Sequence, residues 1–295
     1  MKKFKKILYS AVALTFVLAG CGNEDTSNGS EGTTGEESKG TVTFGMSYWS
    51  STEAPTEIAK LILEEAGYET AESQAEQPII FLGMKNNEID FFMDAWLPYT
   101  EEKLWKQYED DLQKVATSYE DVPLGWVVPS YVEEDSIQDL IGNEAEYDNR
   151  VVGLSAGSGM TETSLQMMEE LNLDGLEYVS ANEAAMMAEA KRALNNENPI
   201  VFLGWRPHSM FTQFDLKFLE GQGDYFKSDN VYVISYKGVE EVHPEAYEIL
   251  SRWSIDVADL EEMMFENEEN GTPFSELAQQ WVDENRDKVD EMLGK

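Results

Sequence analysis

The sequence predicts an α/β protein built as two lobes, each a mostly parallel sheet with helices on its faces. Three observations carry this. Apolar, strand-like runs alternate with helical patterns along most of the chain, and such alternation marks parallel sheets covered by helices. A short motif occurs twice without a gap at an offset of 109 residues: Asn86-Asn87-Glu88 leading to Trp96-Leu97-Pro98, and Asn195-Asn196-Glu197 leading to Trp205-Arg206-Pro207. The opening strands, Val42-Thr43-Phe44-Gly45-Met46 and Val151-Val152-Gly153-Leu154, begin at the same offset, so the repeat spans the first strand of each half as well as its Trp.

The elements follow in order. Residues 42–46 read as a strand, about 54–66 as a helix stopped by Gly67, and 89–93 as an apolar strand. A helix over 101–111 comes next, then a strand over 122–128 ended by Pro129. The second half repeats the order: strand 151–154, helix 161–171, a strand near Tyr178-Val179, helix 183–194 and strand 200–203. Residues 231–236 alternate like a strand that returns the chain to the first lobe, and from Pro244 the pattern is helical and rich in Glu, Met and Leu. Lobe 1 is therefore expected over 41–127 and 232–295, and lobe 2 over 128–231. Two crossings, near 123–130 and 230–236, form a two-strand hinge that permits closure around a ligand between the lobes.

The N-terminus reads as an address. Lys2, Lys3, Lys5 and Lys6 precede an apolar run ending in Leu18-Ala19-Gly20-Cys21, the pattern of a secretory signal over residues 1–20. Cys21 is the only cysteine, which excludes an intrachain disulfide, and its place after Leu-Ala-Gly resembles a bacterial lipobox whose thiol receives diacylglycerol. Residues 21–40 are dominated by Ser, Thr, Gly, Glu and Asn with no large apolar side chain, a composition that forms a flexible tether. With 21 Lys+Arg against 58 Asp+Glu the formal net charge is −37. Such a chain repels nucleic acid and anionic lipid surfaces, and most of its acids form a solvated face.

Three tryptophans, Trp49, Trp96 and Trp205, sit where strands give way to loops. Converging indoles make an electron-rich box for a quaternary ammonium, which donates no hydrogen bond and is held by ring faces. Trp105, Trp126, Trp253 and Trp281 lie inside regular patterns and are assigned to packing. The segment Ala156-Gly157-Ser158-Gly159-Met160-Thr161 joins a strand to a helix, and amide N–H groups at a helix start attract anionic groups. A cation box in one lobe and an anion-binding turn in the other suit a small zwitterion. Two histidines and one cysteine leave no zinc cluster, and no cofactor is expected. A secreted hydrolase using Asp90, Asp94 and Glu101 is the alternative from another class, because paired carboxylates can serve as acid and base.

The lipobox, Tyr48-Trp49-Ser50-Ser51-Thr52-Glu53, Asp94-Ala95-Trp96-Leu97-Pro98, Gly157-Ser158-Gly159-Met160 and Gly204-Trp205-Arg206-Pro207-His208-Ser209-Met210 resemble the glycine betaine-binding lipoproteins of ABC transporters, the OpuAC and ProX-like family. The resemblance spans residues 41–295. It implies a two-lobed type II periplasmic-binding-protein fold with the ligand in the interlobe cleft, acting as a monomer at the outer face of the cell membrane and delivering ligand to a permease. Trp49, Trp96 and Trp205 match the family's three-Trp prism, and the N–H groups of Gly159 and Met160 match its carboxylate-binding turn. His208 could donate to the ligand or brace its loop, and Arg206 could meet a carboxylate or pair with a surface acid. Family members that bind glycine betaine often carry a His a few residues after Trp-Leu-Pro, where this chain has Tyr99-Thr100-Glu101. If Glu101 faces the site, it is either protonated or selects a ligand without an acid group. Choline-binding relatives use an Asp and a Tyr where this chain has Ser51 and Leu124. Choline, carnitine, proline betaine and sulfonium analogues remain alternative ligands, and a sensor lipoprotein remains an alternative to a transport receptor.

Overall fold

Residues 38–295 are described in a computed structural model; the predicted signal segment, Cys21 and nearly all of the tether lie outside them. The chain runs β1 (Thr41–Met46), α1 (Ser50–Glu65), β2 (Glu69–Gln74), α2 (Gln77–Lys85), β3 (Phe91–Leu97), α3 (Glu102–Tyr108) and β4 (Leu112–Val122). After Pro123 come β5 (Leu124–Pro129), β6 (Arg150–Gly153), α4 (Gly159–Glu170), β7 (Glu177–Ser180), α5 (Glu183–Leu194), β8 (Phe202–Trp205), α6 (Met210–Gln213) and β9 (Leu216–Phe218). The last stretch is β10 (Asp229–Tyr236), α7 (Val239–Val242), α8 (Pro244–Ser251), α9 (Val257–Asn270), α10 (Phe274–Glu284) and α11 (Arg286–Met292).

Two five-stranded sheets result, with orders β2-β1-β3-β10-β4 and β7-β6-β8-β5-β9. Each has one strand, β10 or β5, antiparallel to both of its neighbours, while β1–β3 and β6–β8 pair in parallel. The two orders become identical when β1, β2, β3 and β4 are equated with β6, β7, β8 and β9. The 109-residue offset therefore marks two copies of one topology. β3 and β8 stand third in their sheets, are buried along their whole length and carry Trp96 and Trp205.

The antiparallel strands are the ones that follow the crossings, and both enter their sheets at the Trp end. Leu124 of β5 lies opposite Trp205, and Asn230 and Val231 of β10 lie opposite Leu97 and Trp96. Asp229 pairs with Val122 in turn, so the two crossings are neighbours. The strand predicted over 122–128 is divided here. Pro123 has no N–H to give to a ladder, and the residues on its two sides join different sheets.

Other departures from prediction have local causes. β2 has Ala71 as its single apolar residue and lies at a sheet edge, so no hydrophobic alternation announces it. β4, at the opposite edge, mixes Leu112, Val115, Ala116, Tyr119 and Val122 with polar residues without a strict alternation. The first helix begins at Ser50 rather than near Ala54, because Ser51 and Thr52 find a buried hydrogen-bond acceptor in β3. The C-terminal helices α8, α9 and α10 pack on α1, as the predicted helical cap requires. Phe44, Phe81, Phe91 and Phe92 are fully enclosed in the first lobe, each worth about 1.5–3 kcal/mol relative to exposure. Trp126, Trp253 and Trp281 are buried with their indole N–H groups bonded to Ser164, Ser118 and Asp259, while Trp105 is only partly covered.

Where β5 leaves the crossing, a side chain completes the backbone pairing. Gln222 accepts from Trp126 N at 2.7 Å and donates to the carbonyls of Trp126 (3.0 Å) and Leu219 (2.7 Å). Gln222→Ala leaves the Trp126 N–H without this acceptor, while the Trp126 carbonyl keeps the bond from Leu219 N; an unpaired buried donor costs about 1–3 kcal/mol. Urea unfolding is expected to show a loss of that size with an unchanged m-value; equal midpoints for variant and wild type would contradict this role for Gln222.

Candidate functional site

A cleft of about 330 Å³ lies between elements of the two sheets, lined by Trp49, Trp96 and Trp205 together with Gly159, Met160 and Glu101. The sequence separates these residues by more than 150 positions, and the shared strand order brings them together. Trp49 is the N-cap of α1, Trp96 and Trp205 end β3 and β8, and Gly159 and Met160 open α4. Ser51 and Leu124, the positions where choline-binding relatives carry Asp and Tyr, also line it. Four further lining residues, Gln77, Thr100, Leu154 and Ser158, had not been singled out from the sequence. For Gln77 a signal existed: Pro78 follows it and an apolar run ends at Lys85-Asn86-Asn87, the marks of a helix with Pro in its first turn.

Asp94 organises the indoles from behind. It is fully buried, accepts from Trp96 Nε1 at 2.7 Å through Oδ1, and accepts from Ser51 Oγ (2.8 Å) and Thr52 Oγ1 (2.7 Å) through Oδ2. One carboxyl group thus fixes the Trp96 ring and the first turn of α1, whose cap is Trp49. Burial raises the Asp94 carboxyl above its ordinary range, while the bonds from Thr52, Ser51 and Trp96 act the other way.

Glu101 is 3 % exposed and its Oε2 has no hydrogen-bond partner. Burial, then the like charges of Asp94 and Asp229, push its carboxyl well above the ordinary carboxylate range. The loop that carries it is held by Asp229, which accepts from Tyr99 N and Thr100 N at 2.8 Å each. Across the cleft, Gly159 sits against this loop: a Cβ there would lie 2.0 Å from the Thr100 carbonyl oxygen, so only glycine permits the approach. The first N–H groups of α4 have no carbonyl one turn back to bond, and the helix dipole favours negative charge beside them.

Two predicted site residues lie elsewhere. His208 stands behind Trp205, its ring edge-on at 4.7 Å, and its Nδ1 accepts from Met210 N at 3.0 Å. Its Nε2 is 3.2 Å from Glu183 Oε1, and Glu183 accepts from Ser50 N and Oγ. Of the two roles open to His208, these neighbours favour bracing the loop, and the residue is not among those lining the cleft. Arg206 lies 3.6 Å from Glu261 and over the Phe211 ring and is not among the residues lining the cleft, which favours the surface pair. Asp90 accepts from Thr43 N and lies near His243, away from Asp94 and the cleft, so no acid–base couple forms. Among the described residues no cluster of His, Cys, Asp and Glu is placed to hold a metal, and no helix is long and apolar enough to cross a membrane.

Comparison with known proteins gives one consistent answer. The family profile described as the substrate-binding domain of ABC-type glycine betaine transport systems matches residues 40–284. The glycine betaine/carnitine transport binding protein GbuC of Listeria monocytogenes is 34% identical over 158 residues, 52% of this chain and 51% of that protein, so the match spans about half the length of that relative. Lactococcal OpuAC, in its closed-liganded conformation with glycine betaine, superposes with a TM-score of 0.81 at 27% identity, covering 86% of this chain and 99% of that one. An ABC-transporter choline-binding protein in complex with choline gives 0.81 at 26% identity over 86% and 91%.

The role of Asp94 can be measured without any ligand. Asp94→Ala removes the acceptor of three buried donors and is expected to lower stability by about 1–3 kcal/mol in urea unfolding. Asp94→Asn, which keeps a carbonyl for Trp96 Nε1, should recover most of it; equal losses would show that the indole bond contributes little.

Proposed function

Because the chain belongs to the family of substrate-binding domains of ABC-type glycine betaine transport systems, we propose that it is a receptor that captures glycine betaine or a close methylated relative and delivers it to a membrane permease. The family is one of transport proteins, which sets the hydrolase alternative aside. One observation carries the choice of ligand class: three tryptophans and the first two residues of a helix line the same cleft. Trp49, Trp96 and Trp205 enclose the trimethylammonium, each ring contributing roughly 0.5–2 kcal/mol by cation–π attraction. The N–H groups of Gly159 and Met160 receive the carboxylate.

In this reading the two lobes, expected over 41–127 with 232–295 and over 128–231, divide at the crossings themselves, so that β5 (Leu124–Pro129) goes with lobe 2 and β10 (Asp229–Tyr236) with lobe 1, and they close about Pro123 and Asp229. Trp96 and Trp205, equivalent in the two halves, meet the ligand together only when the cleft shuts. Choline is less well served, since Ser51 and Leu124 supply neither the acid nor the phenol of choline-binding relatives. The receptor works outside the cytoplasm as a monomer, anchored to the outer face of the cell membrane by diacylglycerol on Cys21.

Titration of Trp fluorescence tests the ligand class, and silence towards every methylated cation would sink it. Trp96→Ala and Trp205→Ala should each weaken glycine betaine binding at least tenfold, about 1.4 kcal/mol, with unchanged far-UV circular dichroism. Gly159→Ala, whose methyl meets the Thr100 carbonyl, should weaken it similarly by holding the cleft ajar. Cys21→Ala should abolish incorporation of labelled fatty acid in a bacterial host; retained label would place the anchor elsewhere.

A further inference from the structure

The cleft contains two side chains that each bury at least one polar atom with no partner in the protein. Gln77, the first residue of α2, is 1 % exposed, and neither its Oε1 nor its Nε2 has a partner. Glu101 is as deeply buried, with Oε2 unpartnered. Both line the same cleft as Gly159 and Met160. Buried polar groups are bonded in nearly all folded proteins, and exceptions point to a functional partner. Thr100, the residue before Glu101, touches Gly159, so Glu101 belongs to the end of the cleft that carries the helix amides.

The charges around Glu101 are all of one sign. Asp94 on β3 and Asp229 at the start of β10 face it. Tyr119 on β4 is buried near Asp94, which with burial keeps its phenol neutral. From the second lobe come Leu124, Leu154, Ser158, Gly159, Met160 and Trp205, none of them charged, and no Lys, Arg or His is among the residues lining the cleft. An ionised Glu101 beside a bound carboxylate would add a like charge with no cation to offset it. A neutral Glu101 has an O–H to donate.

We propose that Glu101, seconded by the Gln77 amide, holds the ligand carboxylate as a protonated acid, so that closing the cleft on a betaine takes a proton from solvent onto Glu101. This rests on the betaine reading above. In the open cleft the Glu101 carboxylate is solvated and ionised at neutral pH; closure buries it, one proton from the buffer joins Oε2, and the new O–H donates to the ligand carboxylate while Gln77 Nε2 donates beside it. A quaternary ammonium lacking a carboxylate draws no such donor. Glu101 thereby selects zwitterions by coupling their binding to a proton, in a chain without the His that family members often place in this loop.

Isothermal titration at pH 5.5–8.5, in buffers of differing ionisation heat, tests this with glycine betaine and tetramethylammonium. For the wild type, betaine affinity should fall by up to tenfold per pH unit as pH rises, with uptake of up to one proton per ligand near pH 7. Tetramethylammonium should show neither effect. Glu101→Gln should still bind betaine but with a flattened pH profile and no proton uptake, a result that separates Glu101 from His208 and His243. Gln77→Ala should weaken betaine more than tetramethylammonium. If Glu101→Gln does not fold, the wild-type proton counts for the two ligands still decide. Betaine binding that is independent of pH, with Trp quenching intact, overturns the role of Glu101 and leaves the cage standing. Tetramethylammonium binding that tightens with rising pH in the wild type, but not in Glu101→Gln, overturns it too, since Glu101 would then act as a carboxylate towards the cation. Absence of binding by either ligand at any pH overturns the cage as well.

Discussion

The buried carboxylate of Asp94 is the interaction on which the cleft depends. Its two oxygens take three short hydrogen bonds, from Trp96, Ser51 and Thr52, and these determine more than their own atoms. The bond to Trp96 fixes an indole plane at a strand end. The bonds to Ser51 and Thr52 draw an additional turn onto α1 and set its cap, Trp49, at the cleft. Hydrogen bonds to an ionised group contribute about 1.5–3 kcal/mol each, enough for three of them to offset much of the cost of burying the charge. Removing one ring's support disturbs its neighbour, so the two indoles of the first lobe behave as one unit.

Around that unit, the contacts between the two halves repeat a theme: an acid on one side, a donor or glycine on the other. Glu183 of α5 accepts from Ser50 of α1 and lies beside His208, which backs Trp205. Glu268 of α9 pairs with Lys191 of α5 and bonds Ser209 and Gln213. Gly159 meets the Thr100 carbonyl. The contacts of Glu183 and Glu268 lie outside the lining, whereas Gly159 and Thr100 belong to it, so the indoles are flanked by polar groups while the lining stays largely aromatic and apolar. Electrostatic attraction of a cation to ring faces gains from such a setting, because desolvation strengthens it.

Much of this was legible in the chain. The offset of 109 residues identified the matching strands, and the observed sheets share one order, since equal patterns of apolar strands and helices have the same way to bury their faces. Trp49, Trp96, Trp205 and the Gly159-Met160 turn could be singled out because large aromatic residues at strand ends, and glycine before a helix, have few purely structural reasons to recur there. Gln77 was not legible as a cleft residue, because the polar edge strand before its helix gives no periodic signal. His208 and Arg206, open in sequence between a ligand contact and a brace or surface pair, do not line the cleft, since one to three residues along a loop suffice to turn a side chain to the opposite side of a ring.

By itself the sequence determined the two-fold α/β plan, the acidic character of the chain and the kinds of group offered to a ligand, because each of these follows from local periodicity and composition. Only the tertiary structure decided which groups share the cleft. The antiparallel strands that follow the crossings, the closeness of Gly159 to Thr100, the bracing of His208 and the burial of Glu101 and Gln77 all depend on contacts between residues far apart in the chain. Whether a carboxyl group is solvated or enclosed among other acids is a property of that packing, and it sets the charge the site presents.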